Sequence, residues 1–221
     1  MRRGPSGGFT MIELMVVVAI IGITMALAIP NVMQWFADQR LKAAARSVAD
    51  AFSLARTEAI RTDHVFLVFF QEERPGVPLV DGNGTPIPVE ILDDGRQGSA
   101  GQNCQIDAGE PVRFIPAEAG VSWGASFAGS NRAPEDPVPD GTPVGGGISL
   151  LDPTGASVTW VAFLPSGVPV GATAGCNLGT TGSGSGAIYV SNGVRDFAVV
   201  LSPLGAVRVH AFDRNANNWR N

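Results

Sequence analysis

Hydrophobic and polar positions change period twice along this chain. From Phe9 to Ile29 apolar residues fill a 21-residue stretch that holds one charge, Glu13. A helix of that length crosses a bilayer, which requires about 20 apolar residues. Beyond Pro30 the run becomes a step of three or four. Leu41, Ala45, Val48, Phe52, Ala55 and Ala59 recur on one helical face, while Arg40, Lys42, Arg46, Asp50, Arg56 and Glu58 fall largely elsewhere. The pattern predicts one helix from about Thr10 to Arg61, roughly 78 Å long at 1.5 Å per residue. Its membrane half spans 9–30 and its amphipathic half 31–63. Pro30 has no backbone donor and predicts a kink or local break, with Gly22 a second soft point.

At His64 the pattern turns to strands. His64 to Phe70 is a β-branched and aromatic run suited to a buried strand. Further candidates are Ile87 to Leu92, Val112 to Ile115, Ser157 to Leu164, Ala187 to Ser191, Arg195 to Leu201 and Ala206 to Phe212. Ser202-Pro203-Leu204-Gly205 predicts a type I turn joining the last two. Gly-, Ser-, Asp- and Pro-rich stretches at 96–147 and 171–186 read as long, mobile loops. The fold class is α+β: a long N-terminal helix packed on a C-terminal antiparallel β-sheet domain over 64–221.

Charge orients this plan. Arg2 and Arg3 precede the apolar run without immediate counterparts after it, which places the N-terminus in the cytoplasm and the rest outside, a single-pass arrangement. Residues 64–221 carry eight arginines against fifteen carboxylates, so the outer part is acidic and repels polyanions. A secretory signal is the competing assignment, with Leu14 to Met25 as its apolar core and Ala26-Leu27-Ala28 as its cleavage triplet. It would leave a secreted β protein. Against it stands Glu13, since a carboxylate in an apolar span costs about 2.5–3.5 kcal/mol, and the helical pattern that resumes after Pro30.

The chemistry of an enzyme is hard to find. His64 and His210 lie in strand patterns without metal-ligand spacing. The run Gly182 to Gly186 lacks the Gly-Lys-Ser/Thr ending of a phosphate loop, and Asp81-Gly82-Asn83-Gly84-Thr85 is half a calcium loop without its later ligands. Neither a catalytic residue nor a metal or cofactor site is assigned. Cys104 and Cys176 are the two cysteines. A disulfide between them is permitted outside the cytoplasm and would tie the two long loops together; two unrelated thiols are the alternative.

The run Gly8-Phe9-Thr10-Met11-Ile12-Glu13-Leu14 closely resembles the type III signal of type IV pilins and type II secretion pseudopilins. That resemblance implies a basic leader, residues 1–8, removed by prepilin peptidase after Gly8. It also implies N-methylation of the new amine on Phe9, and a Glu13 that stays in the membrane to direct assembly. Pro30 sits where such proteins commonly have a helix-breaking proline. Cleavage would give Glu13 a cationic partner in low dielectric, within its own helix or on a neighbouring subunit; an incidental glutamate that snorkels to water is the plain alternative. Phe163-Leu164-Pro165-Ser166-Gly167 and Ser202-Pro203-Leu204-Gly205-Ala206-Val207-Arg208 resemble the GspH/FimT family, whose β domain packs on the long helix.

The resemblance therefore implies an H-type minor pseudopilin of a type II secretion pseudopilus. Its partners would be other pseudopilins or pilins, prepilin peptidase, the inner-membrane assembly platform and membrane lipid. A FimT-like minor pilin of a type IV pilus is the second assignment. Some of those bind DNA through Gly-Arg-x-Arg in the final hairpin; Gly205-Ala206-Val207-Arg208 keeps only the second arginine. Arg208 is at most a weak DNA contact, and nucleic acid is not an expected partner.

Overall fold

The computed structural model describes residues 10–74, 76–81, 83–138 and 145–220. One helix, α1 (Met11–Thr62), precedes two five-stranded antiparallel sheets. Thr10 caps it: the Glu13 N–H reaches Thr10 Oγ1 at 3.3 Å, and the Leu14 N–H reaches the Thr10 carbonyl at 3.2 Å. The helix continues unbroken through Pro30, so the expected break does not occur. It stops at Asp63, whose left-handed φ of 60° turns the chain while its N–H still bonds the Ala59 carbonyl.

The chain divides into two compact units, one ending at Gln39 and one spanning Arg40–Asn221. In the first, helix forms without tertiary cover. In the second, Leu41, Ala45, Val48, Ala51, Phe52, Ala55 and Ala59 are buried, which is the predicted stripe with Ala51 added. The small alanines bring the helix close to the sheets, and Phe52 fills the gap, its ring 5.3 Å from Phe70 and 6.2 Å from Phe163.

The first sheet comprises β1 (Phe66–Phe70), β2 (Val89–Asp93), β3 (Val112–Ile115), β5 (Trp160–Phe163) and β6 (Pro169–Val170), ordered β6-β5-β1-β2-β3. All five β1 residues are buried, as a central strand covered on both faces requires. The second sheet comprises β4 (Ser122–Trp123), β7 (Gly186–Ser191), β8 (Asp196–Leu201), β9 (Val207–Asp213) and β10 (Asn218–Arg220), ordered β10-β9-β8-β7-β4.

One face of the second sheet, with Ile188, Val190, Val199 and Leu201, joins the core shared by the helix and first sheet. Its other face holds Ala187, Tyr189, Ala198 and Val200 with Trp219, covered by Ala125 and Ala133 from the 124–138 segment. That segment, expected as mobile loop, is anchored. Asp196 is fully buried and accepts the N–H groups of Ser126, Phe127 and Ala128 at 2.9, 2.6 and 2.8 Å. Tyr189 donates its hydroxyl to Asp136 at 2.5 Å and accepts the Ala133 N–H at 3.0 Å. Burial beside the Asp136 carboxylate pushes the Tyr189 phenol well above its usual pKa.

Three hairpins use one turn. In Leu164–Gly167, Ser202–Gly205 and Asp152–Gly155 the glycine N–H bonds the first residue's carbonyl at 2.7, 2.9 and 3.0 Å. Each has proline second and glycine fourth at a φ between 76° and 85°. Proline pre-sets the turn and glycine supplies the left-handed residue that matches strand twist.

Candidate functional site: the apolar helix and its anchorage

The exposed half of α1 is the candidate functional surface. Large apolar side chains stay exposed from Met11 through Ile29 and on to Val32, Met33, Trp35 and Phe36, with Met11 78% and Leu27 71% accessible. None of this apolar stretch is buried. Water does not tolerate such a surface, so lipid or other apolar helices must cover it.

Glu13 is the single charge in this surface before Asp38. It sits at the third helical position, and Thr10-Met11-Ile12-Glu13 has the spacing of a capping box. The Thr10 cap was not anticipated from the hydropathy pattern, although the Thr-x-x-Glu spacing signals it. Gly8 and Phe9 lie outside the described residues; at Pro30 the backbone is helical.

Within the second unit, the two weaker motifs meet at the helix. Arg56 donates from Nη1 to the Gly205 carbonyl at 3.0 Å. A Cβ built on Gly167 would lie 2.5 Å from Ile60 Cδ1, and one on Gly205 would lie 3.1 Å from the Gly167 carbonyl oxygen. Both turns thus nest against one stretch of α1, where the positive φ of their glycines is what a side chain would strain. Their task is to hold helix and sheets together.

Cys104 and Cys176 form a disulfide with 5.4 Å between their Cα atoms. Asp94 lies against it, but bonded sulfurs are not metal ligands, so this group does not make a metal centre. His64 Nδ1 pairs with Asp93 at 2.8 Å. His210 is buried on β9, and burial pushes its pKa below the usual value. Arg208 forms an ion pair with Glu135, so its charge is already opposed. An apolar hollow beside the helix, lined by Val48, Val89, Ile115, Val121 and Trp123, contains Glu118 as its one titratable group.

Residues 3–29 match the model of the prokaryotic N-terminal methylation motif. The matched stretch takes in both the sequence signal and most of the exposed apolar helix, so the chain carries a type IV pilin-like N-terminal segment. That motif marks structural proteins of the kind processed by prepilin peptidase, anchored in the inner membrane and assembled with other pilins. No curated protein and no solved structure matches the chain.

Proposed function

We propose that this chain is an H-type minor pseudopilin, a structural component of a type II secretion pseudopilus. In this account prepilin peptidase removes residues 1–8, methylates Phe9 and delivers the helix to the inner-membrane assembly platform. The observation that carries it is the uncovered apolar length of α1, with Glu13 as its one charge. A monomer gains nothing from such a surface beyond an anchor, whereas a helical bundle buries it against identical or related helices. Glu13 then meets the Phe9 amine of a neighbour and sets the axial stagger.

Two observations favour secretion over a DNA-binding pilus. The β domain is acidic, and Arg208 is paired with Glu135; phosphate affinity grows with the number of free cationic contacts. Deleting the gene should abolish exoprotein export while leaving twitching and DNA uptake intact. Normal export with lost twitching or DNA uptake would assign the chain to a type IV pilus instead.

A further inference from the structure

Asp94 has no part in the assembly account, yet it is among the most completely buried polar side chains described, with 0% of its surface accessible. It follows β2 and is fixed through its backbone: its N–H bonds the Val65 carbonyl at 2.9 Å, and the Val65 N–H bonds the Gly95 carbonyl at 2.8 Å. One carboxylate oxygen, Oδ1, accepts the N–H groups of Asn103 and Cys104 at 3.2 and 2.9 Å. The other, Oδ2, stands 3.7 Å from Cys176 Sγ. A single carboxyl group therefore touches both halves of the disulfide, one through its backbone and the other through its sulfur.

The two cysteines come from segments 72 residues apart. Both hold left-handed backbones, φ 55° at Cys104 and 59° at Cys176, a conformation that side-chain-bearing residues rarely adopt. Closing the bond thus requires both segments to be held in a costly geometry, and Asp94 holds the Cys104 side of it.

We propose that Asp94 is the proton acceptor that activates Cys176 when this disulfide closes. The Cys176 thiol gives its proton to Asp94 Oδ2, and the thiolate attacks the disulfide of a small-molecule or protein oxidant, R–S–S–R. A mixed disulfide forms and one RS⁻ leaves. The first RS⁻ takes up the proton that Asp94 holds. Cys104, held by its N–H on Oδ1, then loses its proton to solvent, attacks Cys176 Sγ as thiolate and displaces the second RS⁻, which is protonated from solvent. Two protein thiols lose two electrons and two protons, and the oxidant is reduced to two RSH. Cys176 is the partly exposed residue of the pair and Cys104 the buried one, which fits Cys176 as the first to meet an oxidant.

Burial pushes the Asp94 pKa up to about 6, with smaller contributions from Glu110 and Asp107; the bonds from Asn103 and Cys104 act in the other direction. Glu110 and Asp107 belong to the Cys104 segment, while residues 172–178 contain no titratable group apart from Cys176. On the strand side His64 is engaged by Asp93. A carboxylate raised in this way is a better base than an ordinary one and is ionised at neutral pH.

The test follows closure in the reduced full-length chain in detergent, with glutathione disulfide as oxidant, from pH 5 to 8, trapping by alkylation and weighing the products. The wild-type rate should show a component with a midpoint near 6 on top of thiol ionisation. Asp94→Asn keeps the Oδ1 acceptor and removes the base. It should lose that component and slow closure at pH 7 by at least about tenfold, modest beside the 10²–10⁴ typical of positioned bases. Uniform slowing at all pH values, or wild-type rates in the variant, would overturn the proposal. So would a wild-type profile that follows thiol ionisation alone, a readout that does not depend on the variant folding.

Discussion

At the scale of single residues, Thr10 caps the helix through the Glu13 N–H, and the role proposed for the Glu13 carboxylate is to pair with a neighbour's amine. Glutamine at the same position keeps the side chain's size, and the backbone N–H that Thr10 accepts, while removing the charge. Glu13→Gln should therefore insert in the membrane normally yet fail to enter the fibre, as should Glu13→Ala. Crosslinking and shear fractions give the readout, and normal incorporation of the glutamine variant would contradict the assembly role proposed for Glu13.

Asp94 yields a stability prediction with a definite sign. Its folded pKa of about 6 lies above the ordinary 3.8, so the folded state binds the proton more tightly. Its contribution is fully present below pH 3.8 and is lost as pH rises through 6, by about 3 kcal/mol from the shift alone. Asp94→Asn should remove this fall. Denaturant midpoints from pH 4 to 7, with the disulfide intact, should drop for wild type relative to the variant; parallel profiles would mean that burial does not perturb this group.

At the scale of elements, the turns against the helix are the joints of the domain. Gly167→Ala introduces a Cβ at φ 76° and 2.5 Å from Ile60, and should cost on the order of 1–3 kcal/mol. Arg56→Ala should cost about 1–2 kcal/mol through the orphaned Gly205 carbonyl. Thermal melts of the two single variants and the double should reveal coupling, because both act where the same turns meet α1.

This is also where the limits of sequence reading lie. The stripe from Leu41 to Ala59 was legible because helix period and burial coincide. So were β1, β3 and the final hairpin, each rich in branched or aromatic residues and bounded by turn signals. Strands β4, β6 and β10 left no such trace, since two or three residues are too few to show a period. The Asp196 clamp was equally hidden: its donors lie 68–70 residues away, and no local pattern encodes such a pairing. The site was legible where it is local, in the apolar run with Glu13, and the meeting of Arg56 with Gly205 across 149 residues was not.

At the scale of the whole molecule, the chain joins two kinds of surface. The N-terminal unit presents apolar side chains that water cannot accommodate, while the second encloses its own core and carries a net acidic charge. That division suits a subunit that polymerises through one end and displays the other. Everything in this account depends on the helix being retained and its new amine being exposed. The direct measurement is the intact mass and N-terminal sequence of the chain recovered from its native membrane. The account predicts that it begins at Phe9 with an added methyl group, and a chain beginning at Ile29 or Asn31 would contradict it.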